Sequence, residues 1–177
     1  MVSNGAWANR IVGHGEEAPD QLMANPRNWR VHPASQQRAL EQALSTVGWI
    51  QEVIVNRTTG HVVDGHLRVT LAMRRGEPTV PVKYVELSDD EERLALATLD
   101  PIAAMAAADK DQLSSLLDEL RVGQPALEAL LQEVAAQAGV NPPALGPEFD
   151  EHLADGVSLC LCPTCGHEHS RTERIDS

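Results

Sequence analysis

Between Val53 and Val85 the hydrophobic rhythm of the chain changes twice, from alternation to helical spacing and back, and this narrows the possible folds sharply. Val53-Ile54-Val55 and His61-Val62-Val63 are short β-branched runs on either side of the turn formers Thr58-Thr59-Gly60, which predicts a hairpin. Asp64-Gly65 ends the second strand. Residues 66–75 then place Leu67, Leu71 and Met73 on the inner face of a helix that Gly76 terminates. Val80-Pro81-Val82-Lys83-Tyr84-Val85 is extended again, with its proline near the start, where a missing N–H is tolerated. The expected class is α+β, a small mixed sheet with flanking helices. Aromatic residues make up only 3% of the chain, so its core must be built from Leu, Val, Ile and Ala.

The flanking segments follow from local signals. Asn25-Pro26-Arg27-Asn28-Trp29-Arg30 reads as a turn or loop that Pro33 closes, because a residue before proline avoids the α region. From the N-cap Ser35, the apolar positions Leu40, Ala43, Leu44 and Val47 form one helical stripe, which Gly48 ends. Ser88-Asp89-Asp90-Glu91 is a capping box that opens a helix over 89–99, broken by Asp100-Pro101. Two further helices start at Asp109, with Leu113, Leu116, Leu117 and Leu120 inward, and at Pro125, with Leu127, Leu130, Leu131 and Val134 inward. They read as an acidic helical hairpin, structural or a partner surface.

At 177 residues there is room for one core of ordinary size. The organisation expected is an arm over 1–19 (mobile, or a strand added late to the sheet), a domain over 20–107, the hairpin over 108–140, a Pro-rich linker over 141–157 and a Cys/His tail over 158–177. No apolar run is long enough for a membrane span, and the N-terminal segment lacks the pattern of a signal peptide, so a cytoplasmic protein without a membrane partner is expected.

The net charge of −12 argues against a free-standing nucleic-acid binder, but it is unevenly spread. Residues 25–83 carry eight Lys and Arg against four acids, whereas residues 84–155 carry three against sixteen. Phosphate chemistry therefore belongs in the front half, and the rear is a solvated helical surface. The rear helices are acidic and leucine-faced, unsuited to lying on DNA, so sequence-specific reading by this chain alone is not expected.

Asp64-Gly65-His66-Leu67-Arg68 stands where a strand hands over to a helix, a geometry that aims backbone N–H groups and the positive end of the helix dipole at an anion. Arg68 either forks onto a phosphate or pairs only with Asp64. His66 is a general base or phosphate donor, or a surface histidine that begins a helix. Trp29 and Trp49 offer aromatic faces to a base, or pack as core and lid residues.

Cys160, Cys162 and Cys165 lie too close together for a disulfide framework. The Cys-Pro-x-Cys-Gly knuckle formed by Cys162 and Cys165 is a zinc signal, with two of Cys160, His167 and His169 available to complete four ligands. Completion within one chain, completion by a second chain in a homodimer, and a remnant that binds no metal all remain open.

The ordered set of an Asn-Pro-Arg loop, a helix, a hairpin, a Gly-x-x-Arg helix start, a Val-Pro-Val strand and an acid-capped helix resembles the ParB N-terminal domain of the ParB/sulfiredoxin-like superfamily. The resemblance spans residues 20–107. It implies that Asn25, Arg27 and Arg30 border a nucleotide pocket, and that Asp64, Gly65, His66 and Arg68 hold its triphosphate, with CTP or ATP and magnesium as cofactors. Where partition-type members carry Glu-Asn-x-x-Arg, this chain has Leu99-Asp100-Pro101-Ile102-Ala103. The hydrolytic Glu is absent, and Asp100 is left as the candidate magnesium ligand, beside His66 as the other catalytic candidate.

The His66 variant and the Cys/His ending are closer to ParB-like modules of phages and mobile elements. The resemblance implies a nucleotide-binding module in DNA transactions, acting on DNA indirectly or with a partner protein. The alternatives are a zinc-tailed adaptor that uses no nucleotide, and a nuclease or phosphotransferase of the same superfamily. The sulfiredoxin branch is set aside, because positions 64–68 contain no cysteine.

Overall fold

The structure is a computed structural model that describes residues 6–141, together with the backbone of two short strands at 159–161 and 168–170. In chain order the elements are β1 (Ile11–Glu17), a single 3-10 turn (Pro19–Gln21), α1 (Ala34–Val47), β2 (Val53–Asn56), β3 (Val62–Asp64), α2 (His66–Arg75), β4 (Val80–Val85), α3 (Asp89–Ala104), α4 (Lys110–Glu119), α5 (Pro125–Ala138), β5 (Leu159–Leu161) and β6 (Glu168–Ser170).

The first four strands form one mixed sheet in the order β1-β4-β2-β3. β4 runs parallel to β2, with Val53 opposite Val82 and Val55 opposite Tyr84, and antiparallel to β1. Pro81 lies one residue before β2 begins to pair, so its missing N–H costs no bond to that neighbour. Val53, Val55, Val62, Val80 and Val82 of the sheet pack with Val69 and Ala72 of α2, and Leu22, Trp49 and Tyr84 close the margins. The core is aliphatic, as the scarcity of aromatics requires.

Several expectations are resolved or corrected. The arm over 1–19 takes the second of its two expected forms, an edge strand from Ile11 on, paired along β4. Its alternation was hidden because Gly13 and Gly15 lie against the Tyr84 ring: a Cβ at Gly15 would meet that ring at 3.4 Å. α1 is capped at Pro33, whose carbonyl accepts from the Gln37 N–H at 3.0 Å, and Ser35 falls inside the first turn. Met73 is 50% exposed; Val69 and Ala72 join Leu67 and Leu71 as the buried face of α2.

α3 continues through Asp100-Pro101 to Ala104. An internal proline removes a helix hydrogen bond and costs about 3 kcal/mol. The turn that precedes it is held from outside, where the Leu96 carbonyl accepts from Trp29 Nε1 at 3.2 Å and Arg30 reaches Asp100.

α4 and α5 pack together, but α5 also lies along α1, where the Gln42 side chain caps its first turn by accepting from the Ala126 and Leu127 N–H groups at 2.9 and 3.1 Å. Leu117 and Ala135 are the buried residues of this pair, whereas Leu116, Leu130 and Val134 are exposed, because each helix has a neighbour on only part of its circumference.

Candidate functional site: a cleft of two arginine–aspartate pairs at the start of a helix

The turn from β3 into α2 is made by Gly65, which caps the helix in the left-handed conformation (φ 95°). Any other residue would be strained there, and a Cβ would also meet the Val53 Cα at 3.2 Å. The Gly65 carbonyl accepts from the Val69 N–H, so α2 bonding begins at once, and no side chain caps its first N–H groups.

Around this helix start lies a cleft of about 190 Å³ lined by Arg30, Asp64, Gly65, His66, Arg68 and Asp100, together with His32, Gln36, Leu40, Gln51 and Leu67. Arg68 donates to Asp64 Oδ2 at 2.8 Å and to Gln51 Oε1 at 3.1 Å. Its Nε–H is buried and has no hydrogen-bond partner among the described residues. Arg30 pairs with Asp100 at 2.6 Å, its own side chain being only 11% exposed. The pairing of Arg68 with Asp64 that the sequence left open is therefore present, with one donor of the guanidinium unspent.

His66 Nε2 accepts from the Asn25 N–H at 3.2 Å, which leaves the ring neutral with its proton on Nδ1. Burial, and next the positive charge of Arg30, hold its pKa below the ordinary imidazole value, so a neutral ring at physiological pH agrees with the bond it accepts.

The other residues of the Asn-Pro-Arg box have different places. Asn25 and Asn28 shape the loop: Asn25 Oδ1 accepts from the Arg27 N–H at 3.0 Å and Asn28 Oδ1 from the Arg30 N–H at 3.3 Å. Asn25 is buried and does not line the cleft; it reaches it only through His66. Arg27 stands off the cleft, paired with Asp89 at 3.1 Å on the exposed start of α3. Trp29 is 61% exposed, its ring 5.7 Å from the Arg30 guanidinium, while Trp49 packs against the core.

Sequence reasoning missed the polar cluster behind the cleft. Glu92, on the first turn of α3, has no exposed surface. Its Oε1 accepts from Asn25 Nδ2 at 2.8 Å, and its Oε2 from Asn56 Nδ2 and Thr59 Oγ1, both at 2.6 Å. Burial pushes its carboxyl up, but the bonds from Thr59, Asn56 and Asn25, with His61 nearby, outweigh that and hold it below the usual carboxylate value. In the sequence Glu92 was one more acid in a capping run. Gln36 and Leu40, spaced four apart on α1, were also missed as lining residues.

A magnesium ion does not find a free donor set. Asp64 and Asp100 are each held by an arginine, and among the described residues no group of three or more His, Cys, Asp or Glu side chains is placed to hold a metal ion. A magnesium ion would have to displace Arg30 from Asp100, or arrive on the phosphates it bridges.

In the tail, β5 and β6 pair antiparallel with Cys160 opposite His169. The other zinc candidates, Cys162, Cys165 and His167, lie outside the described residues, as does the linker from residue 142 on. No described helix is long and apolar enough to cross a membrane.

No model of a protein family matches the sequence, and comparison with curated proteins finds no relative. Among solved structures, the chain is similar to the C-terminally truncated chromosome-partitioning protein ParB from Caulobacter crescentus complexed with CTP-γ-S, at 24% identity over 73% of each chain and a TM-score of 0.46. It is also similar to a Pnob8-like ParB N domain, at 14% identity over 76% of this chain and 66% of the other, again with a TM-score of 0.46.

Proposed function

We propose that this chain is a ParB-like nucleotide-binding module that grips the phosphates of a nucleoside triphosphate at the start of α2 and acts in DNA transactions through a partner. One observation carries the reading: two guanidinium groups and an uncapped helix N-terminus converge on one small cleft, and the Arg68 Nε–H there is buried and unspent. An unsatisfied buried donor costs about 1–3 kcal/mol, which Arg68 recovers if its side chain turns that N–H toward an anion in the cleft. Neutral His66 keeps Nδ1–H as a further donor. The gripping residues are Arg30, Arg68, Gly65 and His66, with Asn25 behind them; Asp64 and Asp100 hold the arginines in place.

The reading is of binding rather than turnover. His66 Nε2 is already occupied by the Asn25 N–H, which leaves no free basic nitrogen for a nuclease or phosphotransferase step. The basic front half favours phosphate ligands, and the acidic α3–α5 region favours a protein partner over direct contact with DNA.

The test is a thermal-shift panel of CTP, ATP, GTP and UTP with and without Mg²⁺, because a ligand of the native state raises its melting point. A shift with at least one nucleotide that disappears in Arg68→Ala is expected; no shift with any of the four would refute the reading. A second role, a zinc-binding tail, is favoured by the register of Cys160 opposite His169, which puts two metal-ligating residue types at facing positions. It is tested by measuring zinc per chain in the purified protein and in Cys162→Ser, whose loss of zinc is expected.

A further inference from the structure

The sheet has two edges, and the chain treats them differently. β3 is three residues long and is covered: the Val62 N–H donates to the Met23 carbonyl at 2.9 Å, beside a parallel bridge between Met23 and His61. β1 is the outermost strand on the other side and, at seven residues, the longest of the sheet. Among the described residues, no backbone hydrogen bond reaches Ile11–Glu17 from any element but β4.

An edge of this kind presents a row of unused N–H and C=O groups, which proteins ordinarily protect with proline, lysine or a covering segment. β1 contains no proline and no lysine, and its one irregularity lies near its start, between Ile11 and Gly13. Gly13 and Gly15 leave the backbone bare over the middle of the strand. Ile11 and Val12, 42% and 40% exposed, offer apolar contact at one end.

The other end is acidic. Glu16 and Glu17 accept hydroxyl bonds from Thr79 and Tyr84, but among the described residues neither has an ion pair, whereas Glu52 is bridged to Lys83 and Glu77 to Arg75. Glu16 also lines a groove of about 440 Å³ with Glu52, Glu77, Trp49, Ile50 and Pro81, and no lysine or arginine is among the described residues of that lining.

The geometry points to β1 as the seat of an added strand: an extended segment of a partner protein, with Lys or Arg where it passes Glu16 and Glu17 and apolar residues where it passes Ile11 and Val12. Main-chain bonds hold the segment, and charge selects it. A second copy of this chain fits less well. Antiparallel pairing about His14, which keeps the whole strand paired, sets Glu16 and Glu17 opposite Val12 and Ile11 of the copy, and parallel pairing in register sets carboxylate beside carboxylate. Neither supplies a cation. The phosphate cleft lies at the turn from β3, the opposite edge, so this inference stands or falls independently of it.

The test is amide hydrogen exchange along Ile11–Glu17 of the full chain, with a synthetic peptide of alternating Lys and Val, matched to β1 in length and N-methylated along one edge so that it cannot pair with itself. The peptide should protect the β1 amides that are not bonded to β4, and a Glu-Val counterpart should bind about tenfold or more weakly. Glu16→Lys should weaken the Lys-Val peptide about threefold and strengthen the Glu-Val one, the size expected of one reversed surface charge. If Glu16→Lys melts well below wild type, Glu16→Gln takes its place, with a smaller loss in the same direction. No binding, equal affinity for the two peptides, or an affinity that these variants leave unchanged overturns the inference. So does binding that protects α3–α5 and not β1, which would be charge attraction to the acidic helices alone. Protection of the outer β1 amides without peptide overturns it as well: in a dimer, shown by sedimentation, a second copy holds the edge, and in a monomer the chain's own residues do.

Discussion

The cleft at the start of α2 and the carboxylate cluster around Glu92 are both polar sites inside an aliphatic fold, and Asn25 joins them, bonded to Glu92 and touching the cleft only through His66. They differ in how far their hydrogen-bonding groups are spent: both Glu92 oxygens are bonded, and beside them only His61 Nδ1, 3.9 Å from Oε1, is left without a partner. Around Glu92, Asn25 and Asn56 donate to the carboxylate, and Asn56 also bonds the Leu87 N–H and carbonyl and the Thr58 N–H. In the cleft, Arg68 keeps an unpartnered Nε–H and the first turn of α2 has no side-chain cap. A buried carboxylate with both oxygens bonded holds structure together, whereas a cleft with a guanidinium donor left over is arranged for something that arrives later. Asn25 ties the two, so the scaffold that positions the 25–30 loop also fixes the His66 ring.

The largest expected effect breaks the first of these. Glu92→Ala removes the acceptor of three donors, and each donor left unpaired costs about 1–3 kcal/mol, so several kcal/mol of stability should be lost. Denaturant unfolding measures this. A loss below about 1 kcal/mol would show that the cluster is not the structural anchor described. Glu92→Gln should fall between, because its amide still accepts but presents an N–H to donors.

Nucleotide affinity separates the two arginines that the Asn-Pro-Arg box made equivalent. Arg30→Ala should weaken binding by roughly 10- to 100-fold, the worth of one charge-assisted contact of about 1.5–3 kcal/mol. Arg27→Ala, whose guanidinium pairs with Asp89 on the surface, should leave affinity within about twofold. Equal losses in both variants would put Arg27 back at the site and redraw the cleft.

Gly65→Ala tests the turn that the cleft is built on. A left-handed conformation costs a residue with a Cβ roughly 1–2 kcal/mol. Here the crowding against Val53 adds to that, and thermal melting should show the loss even without ligand. An unchanged melting point would mean that the turn relaxes, and the cleft with it.

How much of this was legible in the sequence depends on range. The hairpin, α2 from His66 to Arg75 and β4 from Val80 to Val85 follow from β-branched runs and glycine punctuation, all signals within a few residues. The Asp64–Arg68 pair was legible for the same reason, being one helical turn apart. β1 was legible only as one of two readings of the N-terminal arm, because an edge strand buries few side chains and its glycines answer to a tyrosine that enters the chain much later. The run of α3 past Pro101 depends on Trp29 and Arg30, and the burial of Glu92 on Asn25 and Asn56, none of them near in sequence. No local pattern encodes such partners, which is why the anchor of the site was the residue that sequence reading passed over.

The smallest effect concerns His66 and is one of pH. Its pKa is held below its ordinary value of about 6.5 by burial and by Arg30, so between the two values the unfolded chain binds a proton that the folded one refuses. The stabilisation is therefore fully present above about pH 6.5 and is lost as pH falls through the folded value. Protonation at Nε2 would also remove the acceptor of the Asn25 N–H and turn a bond into a clash of two donors. His66→Gln keeps an acceptor in that place without titrating. Its stability relative to wild type should improve as pH is lowered from 7 toward 5, by less than about 1 kcal/mol, measured by urea unfolding at each pH. A difference that does not change with pH would mean that the ring is not held neutral, and that the contact joining the Glu92 cluster to the cleft is made in some other way.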